Sequence, residues 1–450
     1  MDKSNTKTAL AENGMDISEA EMPQLGEKLE KELLNLGEGI DLEKSAREDG
    51  ALLRRRGVSS AVDLLRIVMA YLHLDFSLRM LGMWCVLRDL CAISKTALYH
   101  RLQKCEVWLG KLVVTFLLQR KLLFPAQGQI RIRLIDASVI CQPGSKGTDW
   151  RVHVGFDLGQ MCMDWVEVTD QHGGESFNRF PCAPGELYIG DRGYAVKSSV
   201  GHVLAAGAWL LVRVGWLKLP FEDAQGQPWD LIAWLKQASL VPGGQPQETA
   251  VWVNTPHGRF ALRFLAQALP ADKAEEARRR LRQEAKKKKK TVDERSLFAA
   301  GFILLASNLP AAQWSISQVF ALHRFRWQIE LVFKRMKSLL HLDGLRARDP
   351  QLAKVYLLGK ILSALLIERV QLNLAGQYLQ YFSSQERPLS FWLLTTLIAE
   401  HTRSVIRGEI SLQRIFDLFP KLIRFLSYDR RRRKSQLAQV RAILSCLCGC

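Results

Sequence analysis

Several features that would direct a protein to a membrane, to secretion or to zinc are missing from this sequence of 450 residues. The N-terminus has no basic segment followed by an apolar one, so we expect no export signal. The longest uncharged stretch, Leu297–Leu322, is interrupted by Asn308 and Pro310, which makes it a poor bilayer span. Neither an HExxH nor a CxxC pair is present, and nine cysteines without a leader indicate a reducing compartment. We therefore expect a soluble cytoplasmic protein without a membrane anchor or a zinc site.

Acidic residues are also too few to balance the basic ones. The chain has 63 lysines and arginines against 45 aspartates and glutamates, which gives a formal net charge of +18. The imbalance is larger in the body of the protein, because the N-terminal segment is acidic. This composition predicts a polyanionic partner, with nucleic acid as the first expectation and an anionic membrane surface as the second.

The pattern of the sequence changes along the chain and predicts six regions. Helical spacing dominates the N-terminal part, strand-like alternation begins near Gln129, and helical spacing returns after Ser307. We expect an α/β fold in which a mixed sheet is interrupted by a β-rich insertion and flanked by helical regions. The six regions are an acidic flexible lead (1–45) with a short helix around Leu29–Leu36, a helical DNA-binding domain (46–125), the first part of a catalytic core (126–215), a β-rich basic insertion (216–298), the second part of the core (299–375) and a helical basic C-terminal region (376–450).

Three basic segments could contact nucleic acid. The segment CAISKTALYHRLQK predicts a helix that begins after Ser94 and presents Lys95 and His100. It is either a DNA-contacting helix after a turn or a helix with a solvated basic face. The runs Lys286–Lys290 and Arg430–Lys434 leave the same two alternatives open, phosphate contact or solvated charge.

One long helix is predicted from Ile316 to about Leu340, and its segment HRFRWQIELVFKRMK is charged on one side only. At 100° per residue the polar side chains share a narrow arc. They are His323, Arg326, Glu330, Lys334 and Lys337. The opposite side has the apolar face that a helix packs on a sheet: Phe325, Ile329, Val332, Met336 and Leu339. Taken alone, this pattern is typical of a surface helix with ion pairs at helical spacing.

Two further acids make a metal site the competing interpretation. Asp136 lies in register with the apolar residues of a predicted strand, and Asp191 follows a later strand where the chain must turn. Together with Glu330, these acids could converge on two Mg²⁺ ions about 3.5–4 Å apart, which would activate a water or hydroxyl for attack on a phosphodiester. Carboxylate and water ligands suit Mg²⁺ or Mn²⁺, whereas zinc prefers histidine and cysteine.

The motifs that contain these residues are LIDAS, YIGDRGY and the pattern R-x3-E-x6-K. Over about residues 50–375 they resemble the DDE transposases of bacterial insertion sequences that carry a Tyr-Arg-Glu-Lys signature. The resemblance implies a ribonuclease-H-like core with catalytic, metal-binding Asp136, Asp191 and Glu330, and a β-rich insertion before the helix with the glutamate. It also implies cut-and-paste movement of DNA, in which hydrolysis at the element end is followed by attack of the freed 3′-hydroxyl on the target.

The sequence departs from that family pattern at two positions. The signature's tyrosine falls at His323, which could contact a phosphate but adds a group that titrates near pH 7. In relatives with a hairpin intermediate, a tryptophan stacks on a flipped base, and Phe302 occupies the position of that tryptophan in this sequence. The alternative is that Phe302 is a core residue of its strand. Arg213 matches a family arginine after the second aspartate, which implies contact with DNA. The alternative is that Arg213 is a solvated residue at a strand end.

We interpret the chain as a DNA transposase that acts on double-stranded terminal inverted repeats and target DNA. Because such an enzyme pairs two DNA ends, a homodimer on DNA is expected. Two alternatives stay open: a structure-specific nuclease without strand transfer, and a non-catalytic protein that binds DNA ends.

Overall fold

The centre of the protein is one eight-stranded mixed sheet in a computed structural model that describes residues 40–53, 57–123, 130–237, 244–377, 389–407, 409 and 413–426. The predicted α/β class is confirmed. The strands are β1 (Ile132–Ile140), β2 (Trp150–Asp157), β3 (Cys162–Asp170), β4 (Leu187–Gly190), β5 (Trp209–Arg213), β6 (Gln247–Thr255), β7 (Gly258–Ala268) and β8 (Phe302–Ser307). The predicted helix around Leu29–Leu36 and the run Arg430–Lys434 lie outside the described residues.

The strand order is β3-β2-β1-β4-β5-β8-β7-β6. Strands β1, β4 and β5 are parallel to one another, and the other pairings are antiparallel. Because β4 ends where Gly190 pairs with Ile135, the residues at the carboxyl ends of β4 and β5 lie beside the middle of β1. The two strands of the insertion, β6 and β7, pair with each other and with β8, so they extend the same sheet instead of forming a separate one.

Helices cover both faces of this sheet and precede and follow it along the chain. The helices before and within the sheet region are α1 (Leu42–Glu48), α2 (Ala61–His73), α3 (Leu78–Leu87), α4 (Lys95–Gln103), α5 (Glu106–Leu123), α6 (Lys197–Ala205), α7 (Leu231–Gln237), α8 (Ala271–Lys287) and α9 (Glu294–Ala299). Those after it are α10 (Ile316–Phe325), α11 (Trp327–Leu340), α12 (Pro350–Gln377), α13 (Phe391–Ile406) and α14 (Gln413–Leu426).

The two faces of the sheet have separate hydrophobic cores. Alternate residues such as Leu134 and Ile189 face one core, which also contains buried side chains of α5, α10, α11 and α12. Their neighbours Ile135 and Tyr188 face the other core, which contains residues of α6 and of the insertion. The face of a strand on which a residue lies therefore determines which helices it meets.

The N-terminal helices are well capped. Serine side chains accept a backbone N–H in the first turn of α2, α3 and α4, which is the strongest local signal for a helix start. For α4 the cap is Ser94, as predicted, and Leu98 and Leu102 are buried while Lys95 and His100 remain exposed.

One apolar helix invites a membrane interpretation. Residues Pro350–Leu374 of α12 are long and apolar enough to cross a bilayer by length and composition. Of their most apolar stretch, 72% is buried against the rest of the protein. A helix covered in this way is the core helix of a folded domain.

The single helix predicted from Ile316 to Leu340 is wrong in one respect, because the chain forms two helices that meet at Arg326. Around this residue the backbone N–H groups of Arg326 and Ile329 donate to carbonyls three residues earlier, at 3.2 Å in each case. This tighter spacing interrupts the α-helical pattern. The apolar face predicted for the helix is otherwise present, with Phe325, Ile329, Val332 and Met336 buried.

Candidate active site

Three polar residues form a row across the parallel strands. Ile135 of β1 is paired with Gly190 of β4, and Gly190 with Val212 of β5, so the next residues on each strand, Asp136, Asp191 and Arg213, lie level with one another. Asp136 shares its face with Leu134, as the alternation predicted, and Asp191 shares it with Ile189. All three side chains therefore project from the face of the sheet that packs against α10 and α11.

The break between α10 and α11 places an arginine beside these acids. Arg326 pairs with Glu330 one turn later and lies 3.5 Å from a carboxylate oxygen of Asp136. The guanidinium is thus shared between an acid of the sheet and the acid of the helix. The sequence predicted that Asp136, Asp191 and Glu330 converge, and the structure brings all three to one edge of the sheet.

Burial is the main influence on Asp136. It raises the pKa of this carboxyl to about 6, with smaller contributions from the charges of Asp191 and Glu175. The backbone N–H of Ala137, which donates to Asp136 at 2.9 Å, and the charge of Arg326 act in the opposite direction. A proton or a cation at Asp136 would relieve this accumulation of negative charge.

Asp191 is affected differently. Burial raises its pKa, but the backbone N–H of Arg192 and the charges of Arg326 and Arg213 outweigh burial and hold the pKa below its usual value. One carboxylate oxygen, Oδ1, is buried and has no hydrogen-bond partner among the described residues. Asp191 is therefore an ionised acid with an oxygen free to bind a cation.

His323 differs from its expected behaviour. Burial first, and then the charges of Arg326 and Arg213, lower its pKa to about 4, so it does not titrate near pH 7 as the sequence suggested. Its Nε2 atom is buried without a hydrogen-bond partner among the described residues. The ring is neutral at pH 7 and keeps one polar atom available beside Asp191.

The remaining cations have different surroundings. Burial lowers the pKa of Arg213, and its Nε atom has no hydrogen-bond partner among the described residues. Lys337 donates to the carbonyl of Val139 at 3.2 Å, which ties α11 to the end of β1. Lys334 lies over the ring of Trp392 at 5.6 Å. In this structure Lys334 therefore contacts α13, although it shares the helical arc of Glu330.

A cavity of about 700 Å³ opens beside Asp191. Its wall includes Arg213 and Phe302, together with Lys273 and Arg280 from the basic helix α8. Phe302 itself is buried, at 7% exposed, and packs against Phe298 with the ring centroids 5.3 Å apart. The contribution of α8 to this cavity was not predicted, because nothing local in a basic helix indicates which part of the fold it approaches.

The donor set at this edge suits a hard divalent cation. The three acids supply only oxygen ligands, and the free Oδ1 of Asp191 is a buried oxygen that still needs a partner. Among the described residues, no three acid, histidine or cysteine side chains lie close enough to hold a metal, and Arg326 pairs with two of the acids. Oxygen donors next to several arginines are the residue types that suit chemistry on a phosphodiester.

Comparison with known proteins assigns the class. The chain matches the family described as "Transposase DDE domain" over residues 127–366, which is more than half of its length. It is 36% identical over 344 residues to the putative transposase InsL of insertion sequence element IS186A from Escherichia coli K12, an alignment that covers 75% of this chain and 92% of that protein. The chain belongs to the DDE transposase family.

Two other relatives agree with this assignment. The transposase of insertion sequence element IS421 from Escherichia coli is also 36% identical, over 345 residues that cover 75% of this chain and 92% of that protein. The transposase of IS231F from Bacillus thuringiensis subsp. israelensis is 23% identical over 375 residues, 76% of this chain and 78% of that protein. The chain is thus a DNA transposase of the insertion-sequence type, from a family that uses divalent metal ions.

Proposed function

We propose that Asp136, Asp191 and Glu330 bind two Mg²⁺ ions, which Mn²⁺ can replace, and that this site cuts DNA at the ends of a mobile element and joins them to a target. The observation that carries the proposal is the level row of Asp136, Asp191 and Arg213, with Arg326 linking Asp136 to Glu330. Buried polar atoms of Asp191 and Arg213 in this row have no hydrogen-bond partner among the described residues.

The chain's own residues would bind and orient the DNA backbone. Arg213 and His323 each have a buried nitrogen without a partner among the described residues, and both face Asp191. These atoms suit the non-bridging oxygens of a phosphate. Arg326 would exchange its carboxylates for a phosphate when cations bind to the acids. The cations would supply activation of the attacking water or 3′-hydroxyl and stabilisation of the leaving oxygen.

Regions outside the site would supply most of the affinity for DNA. Helix α4 has exposed Lys95 and His100 and suits the DNA-binding role proposed for residues 46–125. The insertion contributes α8 and the exposed run Lys286–Lys290, which lead from the cavity to the surface. We propose that two copies act together on DNA, because two element ends must be paired, and that the protein works in the cytoplasm on nucleoid DNA.

The base-stacking role of Phe302 stays a prediction. Its burial and its contact with Phe298 support the alternative of a core residue, but it also lines the cavity beside Asp191. Phe302→Ala would open a cavity in the core and lower the melting temperature together with every activity if packing is its only role. If it stacks on a base, a folded Phe302→Ala protein would accumulate nicked ends and Phe302→Trp would restore excision.

The central experiment compares Asp136→Asn, Asp191→Asn and Glu330→Gln with the wild type on DNA that carries terminal repeats. Each variant should lose cleavage by about 10³-fold or more in Mg²⁺ or Mn²⁺ while binding the repeats nearly as before. Glu294→Gln, a change of an exposed acid on α9, is the matched control. A variant that keeps a tenth of wild-type cleavage would remove that residue from the site.

The same assay separates the alternatives. A nuclease would release cut ends but no joined product when target DNA is added. A protein that only binds ends would give no metal-dependent cleavage in the wild type, and the three variants would then be indistinguishable from it.

A further inference from the structure

A fourth acid, Glu175, lies at the same edge of the sheet. It belongs to the loop between β3 and β4, just before a short 3-10 helix, Phe177–Arg179. A Cβ atom added to Gly193 would overlap a carboxylate oxygen of Glu175. The carboxylate therefore rests directly on the backbone two residues after Asp191, a place that only a glycine at position 193 leaves free.

The loop that carries Glu175 is fixed from several sides. The backbone N–H of Phe177 donates to the buried hydroxyl of Ser199 at 2.7 Å. On the other side of Glu175, Arg151 donates to the carbonyl of Gly173 and Arg179 to that of Gly174, both at 2.9 Å. Glu175 is thus held in place by its neighbours, while its own side chain has no hydrogen bond or ion pair to any residue in the described part of the chain.

A second observation comes from Tyr194. Its ring is fully buried and packs on Phe177, with the ring centroids 4.9 Å apart. Its hydroxyl is buried and finds no hydrogen-bond partner among the described residues. After burial, the charges of Asp136 and Glu175 contribute most to the rise in the pKa of Tyr194, so both acids act on this hydroxyl. A buried hydroxyl that has no partner among the described residues and lies near two carboxylates needs a polar partner.

Charge also favours a further acid. Arg213 and Arg326 both face Asp191 and offset much of the negative charge of the three proposed ligands. Two divalent cations would then enter a site of low net negative charge. Glu175 adds one more negative charge that acts on Asp136.

We propose that Glu175 is a fourth carboxylate of the metal site, which binds a divalent cation together with Asp136, and that the Tyr194 hydroxyl donates a hydrogen bond to this pair of acids. This inference rests on the proposed function, because it assumes that Asp136 is a metal ligand. Gly193 has the role of leaving room for the Glu175 carboxylate.

The test is cation binding, which does not depend on activity. Purified wild type and Glu175→Gln are titrated with Mn²⁺, free Mn²⁺ is measured by electron paramagnetic resonance, and melting temperatures are recorded with EDTA and with Mn²⁺. Glu175→Gln should weaken Mn²⁺ binding by about tenfold or more. In EDTA it should melt a few degrees higher than the wild type, since one of several clustered negative charges is gone. A purely structural role for Glu175 would lower the melting temperature in both conditions.

Two further variants complete the experiment. Gly193→Ala keeps every acid but displaces the Glu175 carboxylate, so it should weaken Mn²⁺ binding as Glu175→Gln does, and combining the two changes should add little. Glu294→Gln should behave like the wild type. A Glu175→Gln protein whose Mn²⁺ affinity stays within twofold of the wild type would overturn the role of Glu175. If Asp136→Asn also leaves Mn²⁺ binding unchanged, the proposed metal site itself fails, and the two failures are thereby distinguished.

Discussion

Strand β1 contributes charged residues to two clusters, and one of them has five ion pairs among its own members whereas the other has two. On the face opposite Asp136, Arg133 lies 2.6 Å from Asp164 and donates to the hydroxyl of Tyr188 at 2.9 Å. Its neighbour Arg131 bonds Asp157, Asp164 and Glu186 at 2.7 to 3.0 Å. On the other face, Asp136 and its neighbours hold fewer bonds and leave a buried oxygen of Asp191 and a buried nitrogen of His323 without partners among the described residues.

The two clusters contain the same residue types, acids and arginines, but differ in how many of their polar groups are paired within the protein. The first cluster, which we call the closed cluster, consists of Arg131, Arg133, Asp157, Asp164 and Glu186. Each of its two arginines pairs with at least two of its three acids, and the side chains of Arg133 and Asp164 are 2% and 4% exposed. Such pairs fix the strands, and removing one partner leaves a buried charge. The second cluster, which we call the open cluster, consists of Asp136, Asp191, Arg213, His323, Arg326 and Glu330. We propose that its unpartnered polar atoms bind DNA and cations, so loss of one member should cost activity more than stability.

The largest effect on stability is expected from the closed cluster. Asp164→Asn would leave Arg133 as a buried charge without its main partner, and the free energy of unfolding should fall by about 3–5 kcal/mol. Urea denaturation followed by circular dichroism measures this loss. Asp191→Asn should change the free energy of unfolding far less. Equal losses from both variants would break the distinction between the two clusters.

A comparable effect on catalysis is expected from the cation of the open cluster. Arg326→Ala should lower the cleavage rate at saturating protein by about 10²–10³-fold, because it removes a donor placed next to the reacting phosphate. Affinity for the terminal repeats should change much less, since many other cations contribute to it. Lys337→Ala should also lower the cleavage rate, but by a smaller factor, because Lys337 also holds the end of β1. The readouts are single-turnover cleavage and DNA binding on the same preparations.

A pH dependence should separate Asp136 from the acids of the closed cluster. Its pKa is about 6 in the folded protein against an ordinary value of 3.8, mainly because it is buried. A carboxyl with a raised folded pKa costs stability once it ionises, so the cost is absent below about pH 4 and complete above about pH 6. In EDTA, Asp136→Asn should therefore gain stability relative to the wild type as the pH rises from 4 to 7, by at most about 3 kcal/mol. A difference that stays constant over this pH range would contradict the assignment.

The smallest effect is expected far from both clusters. Replacing Lys286–Lys290 by glutamine should weaken DNA binding and flatten its dependence on salt, by about one unit of slope for each phosphate that the variant no longer neutralises. Cleavage at saturating protein should hardly change. If the cleavage rate fell in parallel with the affinity for DNA, these lysines would act together with the open cluster and would have to be counted among its members.

Local patterns predicted a large part of this architecture. Alternation placed Asp136 on the buried face of its strand, the boundaries of β8 follow from its apolar run, and the 100° periodicity grouped Arg326 with Glu330. The break at Arg326 was not predictable, because the residues around it are ordinary helix formers and only tertiary packing decides the local geometry. Glu175 was missed since its loop meets the site through contacts that are distant in sequence. Tyr194 was missed although it lies in the YIGDRGY motif, because nothing local shows where its hydroxyl lies. The same limit applies to Arg133, whose burial depends on partners from three other strands or loops.

The continuity of the sheet has a consequence for how such a protein can be altered. An insertion that forms its own domain can be removed as a cassette, but here β7 covers one side of β8 and β5 covers the other. Deleting the insertion would leave β8 as an apolar edge strand with unpaired backbone groups, open to pairing with other chains. A protein that lacks the insertion should therefore aggregate, and weaker DNA binding should not be its only defect. Evolution within this architecture has more freedom to lengthen the β6–β7 turn, Pro256 and His257, than to discard the strands that it connects.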